Sequence, residues 1–177
     1  MQPKILLEKS QFDVKIKRLC HQLIEAHNDF KDTVIIGLQP RGIFLAKRIQ
    51  KELQSILKNK KINCGALDIT FHRDDFRKKE LIPNPTSIDF TIEDKNVVLV
   101  DDVLFTGRTI RAGLDAMLAF GRPKDVELLV LVDRRLARHV PIQAKYIGIT
   151  IDSIESQNVK VEWSETDGKD RITLLSK

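Results

Sequence analysis

The sequence predicts one α/β domain with a mainly parallel central sheet flanked by helices. The chain has 177 residues and 42% hydrophobic content, which is long enough for one such core and short for two. Runs with strand character alternate with stretches of helical periodicity, as in parallel sheets covered by helices. The apolar runs at residues 96–100 and 127–132 also lack polar alternation, which is typical of buried parallel strands.

The first half of the chain supplies two helices and a strand between them. Apolar residues at helical spacing predict a helix from residue 11 to about 27, with a basic opposite face. The β-branched run at Thr33–Leu38 predicts a strand that ends at a tight loop. After that loop, helical periodicity returns from residue 43 to about 57. The order strand, loop, helix therefore opens the predicted sheet.

The remaining predicted elements continue the alternation and then depart from it. They are strands at residues 62–69, 96–100 and 127–132, a helix at 108–120 that Gly121 ends, and a C-terminal hairpin of 159–162 with 171–175. Residues 71–90 are polar, contain Pro83 and Pro85, and are too long for an ordinary connection. This segment is therefore expected to be a functional flap.

Composition limits the classes of partner and of site. The 30 Lys and Arg residues outnumber the 25 Asp and Glu residues, giving a charge of +5, which favours anionic partners such as phosphorylated metabolites or RNA. Cys20 and Cys64 lie far apart without metal-ligand spacing, so neither a disulfide nor a zinc site is expected. No signal peptide or membrane-length apolar run is visible, which predicts a cytoplasmic protein.

The motif most informative for function is VVLVDDVLFTGRT at residues 97–109. A buried strand leads to two acids, Asp101 and Asp102, at its carboxyl end, where ligands bind in open α/β sheets. The next residues open a helix whose N–H groups, with the hydroxyl of Thr106 and the freedom of Gly107, suit a phosphate. The acids suit the vicinal hydroxyls of a ribose. Alternatively, Thr106 caps the helix and the acids are solvated.

The same string resembles the phosphoribosyl pyrophosphate (PRPP) signature of type I phosphoribosyltransferases. Further segments are similar to the PyrR-type uracil phosphoribosyltransferases, which double as attenuation regulators of pyrimidine operons. These segments are GLQPRGIFLAKR at 37–48, DITFHRDD at 68–75, DDVLFTGRTIRAGLDA at 101–116, GRPKDVELLVLVDRR at 121–135 and KYIG at 145–148. The resemblance extends from about residue 18 to 161. It implies a type I phosphoribosyltransferase fold as one domain over 1–177, with a flap at about 71–90 and a small hood near the C-terminus.

The resemblance also implies roles for individual residues. Four residues would be catalytic: Arg41, Arg73, Asp101 and Asp102. The ribose 5-phosphate of PRPP would be bound by Asp101, Asp102, Val103, Leu104, Phe105, Thr106, Gly107, Arg108 and Thr109. The pyrophosphate would be bound by Leu38, Gln39, Pro40, Arg41 and Gly42. The base would be bound by Arg138, Tyr146 and Ile147, and Asp133 would contact Mg²⁺, which is held mostly through PRPP.

Phe105 narrows the expected base. Purine phosphoribosyltransferases with a similar loop usually carry an Asp there, and a phenylalanine cannot replace its contact with a purine ring nitrogen. The resemblance thus implies that uracil and PRPP react to form UMP and pyrophosphate in the presence of Mg²⁺. It also implies a homodimer or a higher homo-oligomer.

Two positions depart from the family pattern. Pro40 stands where Thr is usual, and His72 stands where Tyr is usual. Pyrophosphate loops of the wider family often contain a cis peptide, and an X-Pro bond makes the cis form far less costly than other bonds do. Alternatively, Pro40 is an ordinary turn proline.

The resemblance implies a second partner, the leader mRNA, bound through Arg18 and His21 of the first helix. After Gly148, however, this chain has Ile149-Thr150 where Lys-Asn is usual, and the acid Asp152 follows. Both departures weaken an electrostatic RNA surface. Two functions therefore stay open at this stage. One is an enzyme that also regulates, and the other is a non-catalytic attenuator that senses UMP or UTP in the same pocket.

Overall fold

The computed structural model describes residues 3–58, 60–73 and 83–176. The helices are α1 (Lys9–His27), α2 (Gly42–Ile56), α3 (Arg108–Met117) and α4 (Ser164–Asp167), and single 3₁₀ turns lie at Thr70–His72 and Leu118–Phe120. The strands are β1 (Lys4–Leu7), β2 (Thr33–Leu38), β3 (Cys64–Leu67), β4 (Asn96–Leu104), β5 (Asp125–Arg134), β6 (Tyr146–Ile151), β7 (Gln157–Glu162) and β8 (Arg171–Ser176). Every helix and strand predicted above is present, and most element ends differ by one to three residues.

The central sheet has five parallel strands in the order β3-β2-β4-β5-β6. The predicted parallel α/β architecture is thereby confirmed. Chain order reverses between β2 and β4, since β3 lies on one side of this pair and β5 and β6 on the other. Such a switch point leaves a crevice at the carboxyl ends of the two strands, where open α/β sheets bind ligands.

Apolar side chains cover both faces of this sheet. On one face, residues of α1 and α2 such as Leu19 and Leu45 pack with Ile35 of β2 in one buried cluster. On the other face, Ile110 and Met117 of α3 pack in a second cluster that includes other residues of β2 and β4. Alternate residues of each buried strand point to opposite faces, which explains why these strands have no polar side.

Strand β4 extends beyond its neighbour β2. The last register pair between them joins Gly37 to Val100, whereas β4 continues beside β5 to the pair Leu104 and Asp133. The sequence-based end of this strand at Val100 was therefore wrong, because the backbone of Asp101 still pairs with Val130 of β5. The result is a step in the sheet, and Asp101 lies on it.

A second sheet forms beside the first. Strands β1, β8 and β7 are antiparallel in that order, and α4 lies in the connection between β7 and β8. We call β1, β7, α4 and β8 the hood. The predicted C-terminal hairpin is confirmed. Strands β1 and β6 were not predicted, since β1 has only four residues and β6 lies in a stretch interpreted by its motif alone.

Side chains of α2 attach the hood to the domain. The guanidinium of Arg48 lies over the rings of Phe12 and Trp163, 5.6 and 5.0 Å from their centroids. It also pairs with Glu165 and Asp170 of the hood at 2.6 and 2.7 Å. Since Trp163 is fully buried, the hood is packed against α1 and α2.

The predicted flap at 71–90 lies partly outside the described residues, which omit 74–82. Its returning limb docks on β3, where Ala66 and Ser87 exchange two backbone hydrogen bonds of 2.9 Å. This limb also reaches the end of β2, since the side chain of Gln39 donates to the carbonyl of Pro85 at 2.8 Å.

Among the described helices, none has the length and apolar character needed to cross a membrane.

Candidate active site

Two acids lie on the step of the sheet. Asp101 is 6% exposed, and its Oδ1 accepts a hydrogen bond from the backbone N–H of Asp102 at 2.9 Å. Burial, reinforced by the charge of Asp102, raises the pKa of Asp101 well above its usual range, while the charge of Arg73 opposes this shift. Burial also raises the pKa of Asp102, and Arg41 opposes that shift. The pair thus offers buried oxygen atoms suited to hydroxyl groups.

The loop between β2 and α2 lies directly beside these acids. Its Gln39–Pro40 peptide is cis, as the proline had suggested. A Cβ atom at Gly42 would lie 2.5 Å from the carbonyl oxygen of Val100 and 2.9 Å from the Cα of Asp101. Only glycine therefore fits at the start of α2, and its absence of a side chain lets the loop pack against β4.

Arg41 joins this loop to the acids and to the hood. Its Nε lies 3.4 Å from Oδ2 of Asp102, and its Nη2 lies 3.0 Å from Oδ2 of Asp167. Nη2 also donates to the carbonyl oxygen of Val161 in β7. The structure thus brings together three of the four residues expected to be catalytic, and the fourth, Arg73, acts electrostatically on Asp101.

The N-terminus of α3 borders the same crevice. Gly107 precedes the helix with φ of 88°, a conformation that favours glycine, and it provides no side-chain cap. The carbonyl oxygen of Thr106 accepts hydrogen bonds from the N–H groups of His139 and Val140 at 2.9 and 3.1 Å. Its hydroxyl accepts from the N–H of Arg108 at 3.4 Å. The helix therefore begins at a fixed loop where an anion can replace a capping side chain.

Not every residue of the predicted set offers its side chain to a ligand. Leu38 and Leu104 are 0% and 1% exposed within the apolar cluster on the α3 face. Val103 packs against the cluster on the opposite face. At these positions the backbone is the part that can contact PRPP. The signature string therefore contains residues that hold the sheet together beside residues that can bind substrate.

On the far side of the acids, an aromatic ring and two arginines form a compact group. The guanidinium carbon of Arg134 lies 3.6 Å from the ring centroid of Phe105. Arg134 is 3% exposed, and its Nε donates to the hydroxyl of Ser153 at 2.9 Å. Arg138 donates to the carbonyl oxygen of Phe105 and to Oδ1 of Asp133. One face of the ring is thus occupied by a cation that the protein holds firmly.

Tyr146 and Ile147, which were expected to bind the base, contact other residues of the protein. The hydroxyl of Tyr146 donates to Glu127 at 2.6 Å and lies 3.3 Å from His27, near the amino ends of β5 and β6. The carbonyl oxygen of Ile147 accepts a hydrogen bond of 2.6 Å from Arg18. Arg18 also donates to the carbonyl oxygen of Gly148 at 2.7 Å. These contacts connect α1 to β6.

Sequence reasoning did not identify Asp167 or a role for Arg134 at the base side. Asp167 reaches Arg41 across 126 positions of the chain, and no local pattern indicates a contact of that range. Arg134 was not named among the residues expected at the base, although an arginine that follows an apolar run by two residues and ends the strand is an unusual buried group. Within the described residues, no group of three or more His, Cys, Asp or Glu side chains is arranged to hold a metal ion.

This chain is similar to known proteins over most of its length. The family model described as the phosphoribosyl transferase domain matches residues 4–166. A relative named Bifunctional protein PyrR, from Endomicrobium trichonymphae, is 42% identical over 97% of this chain and 98% of its own length. The Bifunctional protein PyrR of Clostridioides difficile strain 630 is 40% identical over 96% of each chain.

Solved structures support the fold. The hypoxanthine phosphoribosyltransferase of Trypanosoma cruzi is similar with a TM-score of 0.73 and 17% identity, covering 98% of this chain and 96% of its own. A hypoxanthine-guanine phosphoribosyltransferase from Bacillus anthracis has a TM-score of 0.66 and 23% identity, covering 98% of both chains. Identities this low show a shared fold only.

Proposed function

This chain belongs to the phosphoribosyltransferase family and to its PyrR branch, the bifunctional uracil phosphoribosyltransferases that also regulate pyrimidine operons, and we propose which residues perform each function. In the transferase reaction, N1 of uracil bonds to C1 of the ribose as the bond from C1 to pyrophosphate breaks, and the proton of N1 leaves with the pyrophosphate. Asp101 and Asp102 accept hydrogen bonds from the ribose hydroxyls. The loop at 106–109 and the N-terminus of α3 bind the 5-phosphate.

The single observation that carries this proposal is the meeting of opposite charges at the switch point. Arg41 lies 3.4 Å from Asp102, so a cation suited to pyrophosphate and an acid suited to ribose are within one ligand's length. The planar guanidinium can pair bidentately with phosphate oxygens. Charge stabilisation of the leaving group is the largest contribution expected from such a site. Arg73 and the flap would exclude water once closed.

The residues present fit a role for Mg²⁺ that depends on PRPP. Because no described cluster of three ligands exists, the ion would be held mainly by pyrophosphate oxygens, with a carboxylate such as Asp133 as the protein's contribution. When bound, Mg²⁺ neutralises the charge of the leaving pyrophosphate. Asp133 is already paired with Arg138, which orients its carboxylate.

The base should be a pyrimidine held beside Phe105 and Arg138. To test this, the protein is incubated with PRPP, Mg²⁺ and uracil, and UMP is measured by chromatography. Parallel reactions contain orotate, hypoxanthine or guanine. Turnover of uracil alone is expected, since Phe105 offers no carboxylate to a purine nitrogen. Conversion of a purine or of orotate in place of uracil would overturn the base assignment.

The ribose assignment is tested at Asp102. Asp102→Asn retains the shape of the side chain and removes its charge. We expect PRPP binding, measured by calorimetry, to weaken at least about tenfold, because a charged acceptor contributes more than a neutral one. The matched control is Asp115→Asn, which changes an acid of α3 that is 51% exposed and pairs with Arg111. Equal PRPP affinity in both variants would contradict the role of Asp102.

For regulation, we propose that leader RNA contacts the exposed face of α1, which carries Lys17, Arg18 and His21. Arg18 is partly engaged by the carbonyl oxygens of Ile147 and Gly148, so its role includes holding α1 on β6. The acid that departs from the branch pattern, Asp152, forms a two-point ion pair with Arg135 at 2.8 and 2.9 Å. Its charge is thus compensated locally and repels RNA less than the sequence suggested.

The RNA proposal is tested by filter binding of a pyrimidine-operon leader RNA at several salt concentrations, with and without UMP. Lys17→Ala and His21→Ala should weaken binding about two- to tenfold while leaving uracil turnover unchanged. Lys51→Ala, an exposed charge on α2, serves as the control. RNA affinity unaffected by both α1 variants would place the RNA elsewhere.

A further inference from the structure

The hood places a fixed negative charge against the pyrophosphate loop. Oδ2 of Asp167 accepts hydrogen bonds from the backbone N–H of Trp163, the hydroxyl of Thr166 and Nη2 of Arg41, each at 3.0 Å. Its Oδ1 lies 3.3 Å from Nζ of Lys160. The backbone hydrogen bond from Trp163, aided by the other donors, holds the pKa of Asp167 well below its usual value. The carboxylate is therefore charged and immobilised before any substrate arrives.

Arg41 is shared unequally between the hood and the acids of β4. Its Nη2 is held by Asp167 and by the carbonyl oxygen of Val161. Its Nε is 3.4 Å from Asp102, which exceeds the distance of about 2.7–2.9 Å for a charge-assisted hydrogen bond. Within the described residues, Nη1 has no protein partner. The hood thus holds one corner of the guanidinium and leaves another available to an anion.

We propose that Asp167 is a positioning residue that keeps Arg41 from closing onto Asp102. The inference rests on the proposed function, in which Arg41 binds pyrophosphate and Asp102 binds ribose. Without the charge on Asp167, the guanidinium would form a two-point pair with Asp102, the nearest remaining carboxylate. That pair would occupy at once the cation needed for pyrophosphate and the acceptor needed for the ribose hydroxyls. The hood therefore prepares the PRPP site through a single ion pair.

The test is the kinetics of Asp167→Asn, which keeps the shape of the side chain and removes its charge. We expect the KM for PRPP to rise about five- to tenfold, as a partly buried ion pair of this kind would give. The KM for uracil and the kcat at saturating PRPP should stay within about twofold. Asp167→Ser is a second neutral variant, whose hydroxyl can still accept the N–H of Trp163, and the same rise is expected.

The matched control is Glu165→Gln, which removes one negative charge from the same helix but pairs with Arg48 in place of Arg41. Its KM for PRPP should equal that of the unmodified protein within about twofold. In an Arg41→Gln background, Asp167→Asn should add less than about twofold, because residues that act through one another are not additive. Thermal unfolding of each variant confirms that it is folded.

Three results would overturn the inference. The KM for PRPP could be unchanged in the neutral variants, which would mean that Asp167 has no role in PRPP binding. It could also be lowered, which would mean that Asp167 competes with pyrophosphate for Arg41. The effect could persist in the Arg41→Gln background, or Glu165→Gln could match it. Direct titration with PRPP separates this inference from the proposed reaction. If the protein binds PRPP without converting uracil, the reaction proposal fails, whereas the affinities of the variants still decide the role of Asp167.

Discussion

At the scale of single residues, the site contains acidic groups that the fold removes from water. Burial raises the pKa of both Asp101 and Asp102, so the native state binds protons more tightly than the unfolded chain at these positions. For an acid with a raised pKa, stability is greatest below the unfolded-state pKa and declines as the pH rises from that value to the folded-state pKa. The acids thus lower stability at neutral pH in exchange for a ribose-binding pair.

Asp101→Asn is therefore expected to stabilise the protein while abolishing transfer. Asparagine Oδ1 can still accept the N–H of Asp102, and it carries no charge that must be buried. The free energy of unfolding at pH 7, measured with urea, should rise by about 1 kcal/mol or more. The gain should shrink as the pH falls towards the ordinary aspartate pKa of 3.8. A loss of stability at pH 7 would contradict the burial argument.

Phe105 provides the second prediction at this scale. Phe105→Leu keeps an apolar side chain and removes the ring that stacks on Arg134 at 3.6 Å. If the ring and its cation form the wall of the base site, the KM for uracil should rise about three- to tenfold, the range of a cation–π contact. The KM for PRPP should change little, because the backbone of the phosphate loop is retained. Equal changes in both constants would indicate a general loop defect.

At the scale of elements, the sequence predicted the central strands and helices from periodicity, and it located the acids and the phosphate loop by their motif. It ended β4 at Val100 because acids are depleted in strands, although the backbone of Asp101 pairs in register with Val130 of β5. Packing on the neighbouring strand decided the outcome. The residues of the motif could therefore be named in advance, but the step in the sheet that places Asp101 beside the end of β2 could not.

The close approach of α2 to β4 gives a prediction for Gly42. Because a Cβ atom there would lie 2.5 Å from the carbonyl oxygen of Val100, Gly42→Ala must displace the loop or the strand. The free energy of unfolding should fall by about 1–3 kcal/mol, and the KM for PRPP should rise. Gly168→Asn is the control, because that glycine has open space around it and asparagine tolerates its positive φ of 73°. Equal losses in both variants would refute the steric explanation.

At the scale of the whole molecule, the two sheets depend on contacts between distant parts of the chain. The hood combines β1 near residue 5 with β8 near residue 173, and Asp167 of its α4 meets Arg41 of the central domain. Local patterns cannot predict such pairs, which explains why β1 and the Asp167 contact were missed. Periodicity identified the helices and four of the five strands of the central sheet, because each of these shows its own local pattern, and it missed β6.

Ligand binding should stabilise the molecule as one unit. At PRPP concentrations about 100-fold above the dissociation constant, linkage gives about 2.7 kcal/mol, which for a chain of this size raises the unfolding midpoint by roughly 5–10 °C. The midpoint is followed by differential scanning calorimetry in the presence of Mg²⁺. Asp102→Asn, which should not bind PRPP well, should show a much smaller shift. An equal shift for both proteins would mean that PRPP stabilises through another site.

The position of β8 in the middle of the hood has a consequence for biosynthesis. Both β1 and β7 take their hydrogen bonds from β8, so neither has its native partner while residues 171–176 are still inside the ribosome. The central sheet can form earlier, because β6 ends at Ile151. A nascent chain therefore displays β1 as an unpaired strand until β8 emerges. During that interval the unpaired edges of β1 can be bound by chaperones and by other nascent chains.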